Sequence, residues 1–388
     1  MTGATETEDR FGLTEEQLDF LEVIRKIVKE KVGPRAAEID ETGEFPEDLR
    51  QLFAEQDLLR LPFEEEYGGT GTGEVMLCAA IEEIASACAS SSLILAAQDL
   101  ASLPIRLFGS DELKQRLLPP MAAGEILGAF ALSEPEAGSD PGAMRTRATR
   151  TEGGWLLNGA KNWITNSGVA DIYVTFAVSD PDVKFSRGIT AFVVRGDAEG
   201  FRIESLEKKM GMKGSPTGSP VYEDVFVPDE DVIGEPGQGF QVAMGTLDRS
   251  RLGIAAQSVG IAQGATDFAN HYASERIAFG KPINQLQGIQ FKLADMETGT
   301  AAARELTRRA AKLAELDDPM LGKYSAMAKL FASDVAMQVT TEAVQVLGGF
   351  GYVKEYPVER MMRDAKLTQI YEGTNEIQRV VVARAMTG

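Results

Sequence analysis

Near the end of the chain, the stretch IYEGTNEIQ, Ile370 to Gln378, carries two carboxylates four residues apart, Glu372 and Glu376. On one continuous helix they would share a face and could act as an acid–base pair. Gly373 and Thr374 interrupt that continuity, and a helix is expected to begin near Asn375. Glu376 then falls in a first helical turn, where an acid suits the dipole. Glu372 precedes the helix, on a turn that can aim it elsewhere.

Other stretches carry groups able to bind or react. FALSEPEAGSD, Phe130 to Asp140, leaves an expected strand for a turn containing Ser133, Gly138, Ser139 and Asp140. Small residues there let backbone amides approach a ligand, and hydroxyls add donors. WITN, Trp163 to Asn166, offers a flat ring beside the Thr165 hydroxyl. LDRSR places Asp248 and Arg251 at i,i+3, suited to each other or to a polar ligand. ERIAFGKP, Glu275 to Pro282, ends a helix with Arg276, and QVLGGFG, Gln345 to Gly351, ends another with a glycine cap. Taken singly, each has an ordinary structural explanation: a polar loop, a core Trp, an ion pair, a helix end.

Several chemistries are disfavoured. Gly69, Gly71 and Gly73 do not form G-x-G-x-x-G, no expected strand precedes them, and no G-x-x-x-x-G-K-[ST] occurs, so neither a Rossmann nor a P-loop site is read. The single histidine, His271, lies in a helical run without a nucleophile motif and reads as structural. Cys78 and Cys88, in one apolar segment, read as buried thiols rather than a disulfide or metal site. A net charge of −20, from 39 basic and 59 acidic residues, argues against nucleic acid but leaves room for an anionic small ligand held locally. No apolar run reaches the ~18 residues of a membrane span. The polar, acidic start MTGATETEDR resembles neither a signal nor a transit peptide, so a cytoplasmic location is expected.

The elements that must position these groups follow from periodicity. With 388 residues and 44% apolar composition, the chain has room for two or three domains or one multi-lobed unit. Leu18, Leu21, Ile24, Val28 and Val32 predict a helix from Thr14, capped by a T-x-x-Q box with Gln17 and stopped by Gly33-Pro34. Further helices are expected over Glu47 to Gln56, over the apolar run Glu74 to Leu103 (continuous or broken), and over DELKQRLLPPM, stopped by Pro119-Pro120. From about 125 to 232, short β-type runs without intervening helices predict an antiparallel barrel or sandwich, with Asn158-Gly159 as a hairpin turn. From Gln238, four helical segments running to about 272, 284–315, 322–347 and 375–386 predict an up-down bundle. The expected class is α+β, with a helical domain over 1–124, a β domain over 125–235 and a four-helix bundle over 236–388.

SEPEAGSD, WITN, DRSR, ERIAFGKP, LQGIQFKLADM, QVLGGFGYVKEYPVERMMRDAK and IYEGTNEIQR occur in this order across nearly the whole chain. Together they resemble the acyl-CoA dehydrogenase family, most closely its short-chain, butyryl-type and related bacterial members. The resemblance implies three domains in the order above, FAD as cofactor, and a homotetramer that oxidises acyl-CoA thioesters at the α,β bond and passes electrons to electron-transferring flavoprotein. It implies FAD contacts from Phe130, Leu132, Ser133, Gly138, Ser139, Trp163, Ile164 and Thr165. It also implies contacts from Arg276, Phe279, Gln287, Gln345, Gly348 and Gly349 to the FAD of a neighbouring subunit, and from Thr374 and Glu376 near the adenosine and pyrophosphate. Ser139, Asp248, Arg251 and Gly373 would meet the substrate. Glu372 matches one of the family's two base positions; the other, on the helix bearing LDRSR, is occupied by Ser250.

The sequence departs from the family in two places. Ala278 replaces a familiar Thr, and the acyl-pocket helix carries Gln98 and Asp99. An oxygen-using oxidase, a nitroalkane-oxidase-like enzyme and a non-catalytic CoA- or flavin-binding paralogue are the rival readings. Oxidase chains are usually much longer. Nitroalkane-oxidase-like enzymes usually carry Asp at the base position. An intact Glu372 and flavin set counts against the paralogue.

Overall fold

The computed structural model describes residues 13–387. The N-terminal stretch read for targeting signals lies outside the described residues. The first helical group is α1 (Glu15–Ile27), α2 (Gly33–Thr42), α3 (Glu47–Glu55), α4 (Gly73–Ala87), α5 (Ala89–Phe108) and α6 (Asp111–Ala122). The expected capping box is present: Thr14 accepts from the Gln17 N–H at 3.3 Å, and Gln17 accepts from the Thr14 N–H at 3.0 Å. The apolar run Glu74 to Leu103 is broken at Cys88, whose extended backbone (φ −151°, ψ 104°) separates α4 from α5.

Two proline stops do not occur. Before Pro34 the chain widens into a π turn over Val28–Val32, where the Gly33 N–H reaches back to the Val28 carbonyl, and the helix continues into α2. The wider turn accommodates a ring that would press on the preceding carbonyl of a regular helix. Pro119 and Pro120 lie inside α6. They remove only donors; their carbonyls still accept, from Ala123 at 3.0 Å and from Glu125 at 2.9 Å.

The middle of the chain forms, among the described residues, one nine-stranded sheet. Its strands are β1 (Gly128–Ala131), β2 (Arg147–Thr151), β3 (Gly154–Ala160), β4 (Ile164–Thr165), β5 (Ile172–Val178), β6 (Ile189–Arg195), β7 (Phe201–Leu206), β8 (Thr217–Pro228) and β9 (Val232–Ile233). The order is β4-β8-β3-β2-β5-β6-β9, with β1 on β5 and β7 on β8. It is neither a closed barrel nor purely antiparallel: β1 runs parallel to β5, with Gly128 opposite Ile172. Three short helical turns interrupt the strands: α7 (Phe185–Gly188) and the 3-10 turns Pro141–Ala143 and Asp229–Asp231. β5 is buried on both faces, which explains a run that is apolar but for Thr175, whose hydroxyl is bonded to Tyr222. Ile172, Val174 and Phe176 pack toward Ile105 of α5 and Leu118 of α6, while Tyr173 and Ala177 pack with Trp155 and Tyr222.

Asn158-Gly159 is not a hairpin turn. It lies within β3, at a register shift against β8, where Asn158 exchanges side-chain bonds with Asp224. The turn is Glu152-Gly153, with Thr151 opposite Gly154. The Asn-Gly pair serves a bulge because Gly159 has φ 148° and an added Cβ would stand 2.7 Å from the Thr146 Cα.

The remainder is helical: α8 (Gly239–Glu275), a short pair β10 (Ile277–Ala278) and β11 (Lys281–Pro282), then α9 (Gln287–Glu315), α10 (Leu321–Leu347), α11 (Val358–Thr368) and α12 (Asn375–Thr387). The bundle thus differs from four helices of similar length: α11 is an additional helix, and α12 has 13 residues against 37 for α8. The middle of α8 is buried all round, because α4 and α5 cover one side and α9 and α10 the other. Gly260 and Gly264 allow that contact; a Cβ on either would stand 2.2 Å or less from the Glu82 or Ser86 carbonyl oxygen. One hydrophobic core accordingly runs from Leu21 and Ile84 through Leu252 to Ala332.

Gly159→Ala is expected to lower stability by roughly 1–3 kcal/mol through backbone strain and overpacking. Urea unfolding would detect it; parental stability would contradict the bulge assignment.

Candidate active site

The turn between α11 and α12 curls left-handed at two consecutive residues, Glu372 (φ 51°) and Gly373 (φ 89°). Its entry is tied by the Tyr371 N–H to the Leu367 carbonyl, and its exit by the Asn375 N–H to the Gln369 carbonyl at 3.0 Å. Gln378 donates to the carbonyls of Glu372 (3.1 Å) and Gly373 (2.8 Å). Lys329 on α10 donates to the Gly373 carbonyl at 2.8 Å and to Asn375 Oδ1 at 3.0 Å. The Glu372 N–H, by contrast, bonds to no acceptor among the described residues. It is available to a ligand.

The two acids of this stretch diverge. Glu372 is half-buried and accepts a 2.6 Å hydrogen bond from the Ser250 hydroxyl. Burial pushes its carboxyl up to about 7, while the Ser250 hydrogen bond and the charges of Lys329 and Arg251 hold it down. Glu376 is exposed in the first turn of α12, and hydrogen bonds to its own backbone and to Thr374 keep it below its ordinary value. A carboxylate poised near neutrality beside a free amide can take a proton and hold an oxygen that gains charge.

Around Glu372, α8 presents Asp248 and Arg251, paired at 2.8 Å. Arg251 is buried, and its Nε has no protein partner. Unpaired buried donors are costly, so a polar ligand would be favoured there. Gln98 and Asp99, neighbours on α5, turn different ways. Gln98 turns toward the junction of α6 and β1, bonding the Met121, Ile126 and Gly128 backbones. Asp99 faces the helical interior, bonded to Arg106 at 3.1 Å and near enough to Glu74 and Glu372 to feel their charge. Glu74 and Arg106 also line a cavity of about 630 Å³ with Arg249, Lys312 and Glu315.

The β-domain positions form a second group. Phe130 is on β1, Leu132 and Ser133 follow it, and Ile164 and Thr165 form β4. The Asn162 N–H donates to the Ser133 carbonyl at 2.9 Å, bringing the two segments together. Beneath them lies a buried ion pair, Lys161 with Glu134 at 2.7 Å. Lys161 also holds the Leu132 carbonyl, and Glu134 accepts from the Arg145 and Thr146 amides. Trp163 is no core residue: it is 59% exposed and left-handed at φ 61°. Gly138 and Ser139 are exposed, with open space about Gly138.

A third group sits at the other end of the bundle. Arg276 lies over the Phe350 ring at 5.4 Å, and both line a groove of about 520 Å³ with Gly348 and Gly349. Gln287 and Gln345 are exposed at the start of α9 and the end of α10, and Phe279 is 90% exposed. Ala278 pairs with Lys281 in the short β10–β11 ladder. His271, at the same end of α8, is 70% exposed and faces Glu275. Ser250, on α8, and Arg276, directly after its last residue, are 26 positions apart. At 1.5 Å per residue that is about 39 Å, so the third group does not meet Glu372 within one chain.

Three groups escaped sequence reasoning: Lys329, the Lys161–Glu134 pair, and Arg106 with Glu74. Lys329 had a signal, a lysine inside the largely apolar stretch SAMAKLFAS; Lys161, in NGAKNWIT, had none.

An exposed indole, a hydroxyl-bearing strand exit, open glycines and a groove with an arginine suit a large planar, phosphate-bearing ligand. Comparison with known proteins gives the same direction. Family models described as the acyl-CoA dehydrogenase N-terminal, middle and C-terminal domains match residues 14–125, 129–225 and 237–387. The chain is 49% identical over 375 residues to cyclohex-1-ene-1-carbonyl-CoA dehydrogenase of Geobacter metallireducens, covering 96% of this chain and 98% of that one. It superposes with a TM-score of 0.95 on butyryl-CoA dehydrogenase of Megasphaera elsdenii, at 43% identity over 97% of this chain and 100% of that one. A glutaryl-CoA dehydrogenase of Mycobacterium smegmatis in complex with FADH2 matches with a TM-score of 0.91, at 28% identity over 98% and 97%. The chain belongs to the acyl-CoA dehydrogenase family.

Proposed function

We propose that the protein carries out FAD-dependent α,β-dehydrogenation of an acyl-CoA thioester to the trans-2-enoyl-CoA, with Glu372 as the base for the α-proton. The observation that carries this reading is the Glu372 carboxyl itself. It is half-buried, bonded to Ser250 at 2.6 Å and raised to about 7. An α C–H beside a thioester is weakly acidic, and a partly desolvated carboxylate is a base strong enough to accept that proton. The Glu372 amide N–H, without an acceptor among the described residues, would hold the thioester oxygen as it gains charge. Asp248, Arg251, Gly373 and Ser139 then border the acyl-CoA path.

FAD, when bound, supplies the acceptor for the β-hydride. Phe130, Leu132, Ser133, Gly138, Ser139, Trp163, Ile164 and Thr165 would hold it on the β-domain side, and Thr374 and Glu376 nearer its phosphates. The distance between Glu372 and the Arg276–Gly349 groove supports an oligomer in which Arg276, Phe279, Gln287, Gln345, Gly348 and Gly349 serve a neighbouring subunit. A homotetramer is the assembly proposed. Electrons would leave to electron-transferring flavoprotein. Among the described residues no helix is long and apolar enough to cross a membrane.

Glu372→Gln should keep its yellow flavin and bind acyl-CoA, yet lose anaerobic bleaching by at least about 10²-fold. In the parental protein the bleaching rate should rise with pH through about 7, because only the ionised base accepts the proton. Undiminished bleaching by Glu372→Gln would remove the assignment. A yellow protein that no acyl-CoA bleaches would favour a binding role.

The acyl side favours an uncharged group. Arg106, the cation nearest Asp99, is already bonded to Asp99 and Glu64, and Glu74 adds a further acid. A terminal carboxylate would meet two acids that burial already pushes above their ordinary values, beside an arginine that is already bonded. Among butyryl-CoA, cyclohex-1-ene-1-carbonyl-CoA and glutaryl-CoA, glutaryl-CoA should bleach the flavin slowest. Glutaryl-CoA as the fastest would contradict this view of the pocket.

A further inference from the structure

Lys329 stands out among the buried charges for which the reaction as described has no use. It lies on the buried face of α10 with no solvent exposure. Its ammonium donates to the Gly373 carbonyl at 2.8 Å and to Asn375 Oδ1 at 3.0 Å. One turn further along, Ser333 donates to Asn375 Oδ1 at 3.1 Å. Asp334 accepts from Asn375 (2.8 Å) and from Gln369 (2.7 Å). Thus α10 grips both ends of the turn whose middle bears Glu372.

A neutral donor could make the same two bonds at less desolvation cost. Burial does lower the lysine to about 8, and the Glu372 carboxylate is the largest influence opposing that fall. Yet the two make no ion pair within 4.0 Å among the described residues. Both carboxylate oxygens are thus left without a cation in contact, and one bonds only to Ser250.

The charged and titratable groups facing this pair are few. From α8 come Asp248 and Arg251, from α5 Asp99, from α10 Asp334, from α12 Glu376, and Tyr371 adjoins Glu372 in the turn. Arg251 is already paired with Asp248. Lys329 is therefore the cation whose field acts on Glu372 without a carboxylate bonded to it.

We propose that Lys329 is a positioning residue for the proton transfer, fixing the Glu372 turn through Gly373 and Asn375 and holding the carboxylate ionised without touching it. The proposal rests on Glu372 being the base.

The test is the pH dependence of anaerobic flavin bleaching in the parental holoenzyme, Lys329→Met and Lys329→Arg, using the fastest of the three acyl-CoA thioesters named above. Removing a nearby cation raises the pKa of a carboxylate, and the base works only when ionised. The rise of rate with pH in Lys329→Met should therefore move to higher pH by about one pH unit. Its plateau should fall about 10- to 100-fold as the turn loses its tether, with flavin content and acyl-CoA affinity retained. Lys329→Arg keeps the charge but cannot place its larger head on the same two oxygens, so its midpoint should stay while its plateau falls. Lys329→Met holoenzyme with the parental midpoint and plateau would overturn the proposal. Should that variant not retain flavin, a parental plateau in Lys329→Arg would overturn it. Glu372→Gln separates the two readings. Parental bleaching in Glu372→Gln means the base itself is misassigned. An inactive Glu372→Gln beside a parental Lys329→Met means only the lysine's role is wrong.

Discussion

Taking the Glu372 carboxylate partly out of water is the constraint around which the helical part is arranged. Full burial would leave it protonated, and full exposure would make it a weak base. The surroundings set a level between these limits: Ser250 from α8 donates one hydrogen bond, and Arg251 and Lys329 add positive charge from two helices. These contributions come from two helices, α8 and α10. The pKa of one side chain thereby depends on α8, α10 and the α11–α12 turn keeping their relative positions.

Those positions follow from close helix packing. Gly260 and Gly264 let α8 approach α4 at backbone distance, and the same core continues through α10 to α11. A second consequence of α8 is distance. Ser250 lies in the first half of this helix and Arg276 directly follows its last residue, so the Glu372 turn and the Arg276–Gly349 groove of one chain lie far apart.

Proline and glycine signals show where reading from sequence stops. Pro34, Pro119 and Pro120 were legible as helix ends, because a proline removes a donor and crowds the preceding turn. A π turn and spare carbonyl acceptors absorb those effects here. Asn158-Gly159 was legible as a hairpin, but the same left-handed tolerance serves a bulge inside β3. In each case the local preference was real, and a neighbouring strand or turn decided its use. The parallel pairing of β1 with β5 had no local signal, since strand direction depends on chain path rather than on side-chain alternation.

What the sequence by itself determined was the order of helices, strands and helices, the capped start of α1, the start of α12 at Asn375, and the separate circumstances of Glu372 and Glu376. These depend on periodicity, caps and glycine placement within a few residues. Its motifs were specific enough together to point to the family. Only the tertiary structure brought Ser250, 122 residues away in sequence, onto the Glu372 carboxylate, and Lys329 beneath its turn. Only the tertiary structure turned Gln98 toward the α6–β1 junction and Asp99 into the helical interior. Desolvation and field at a side chain are sums over everything packed around it, and no local pattern contains them.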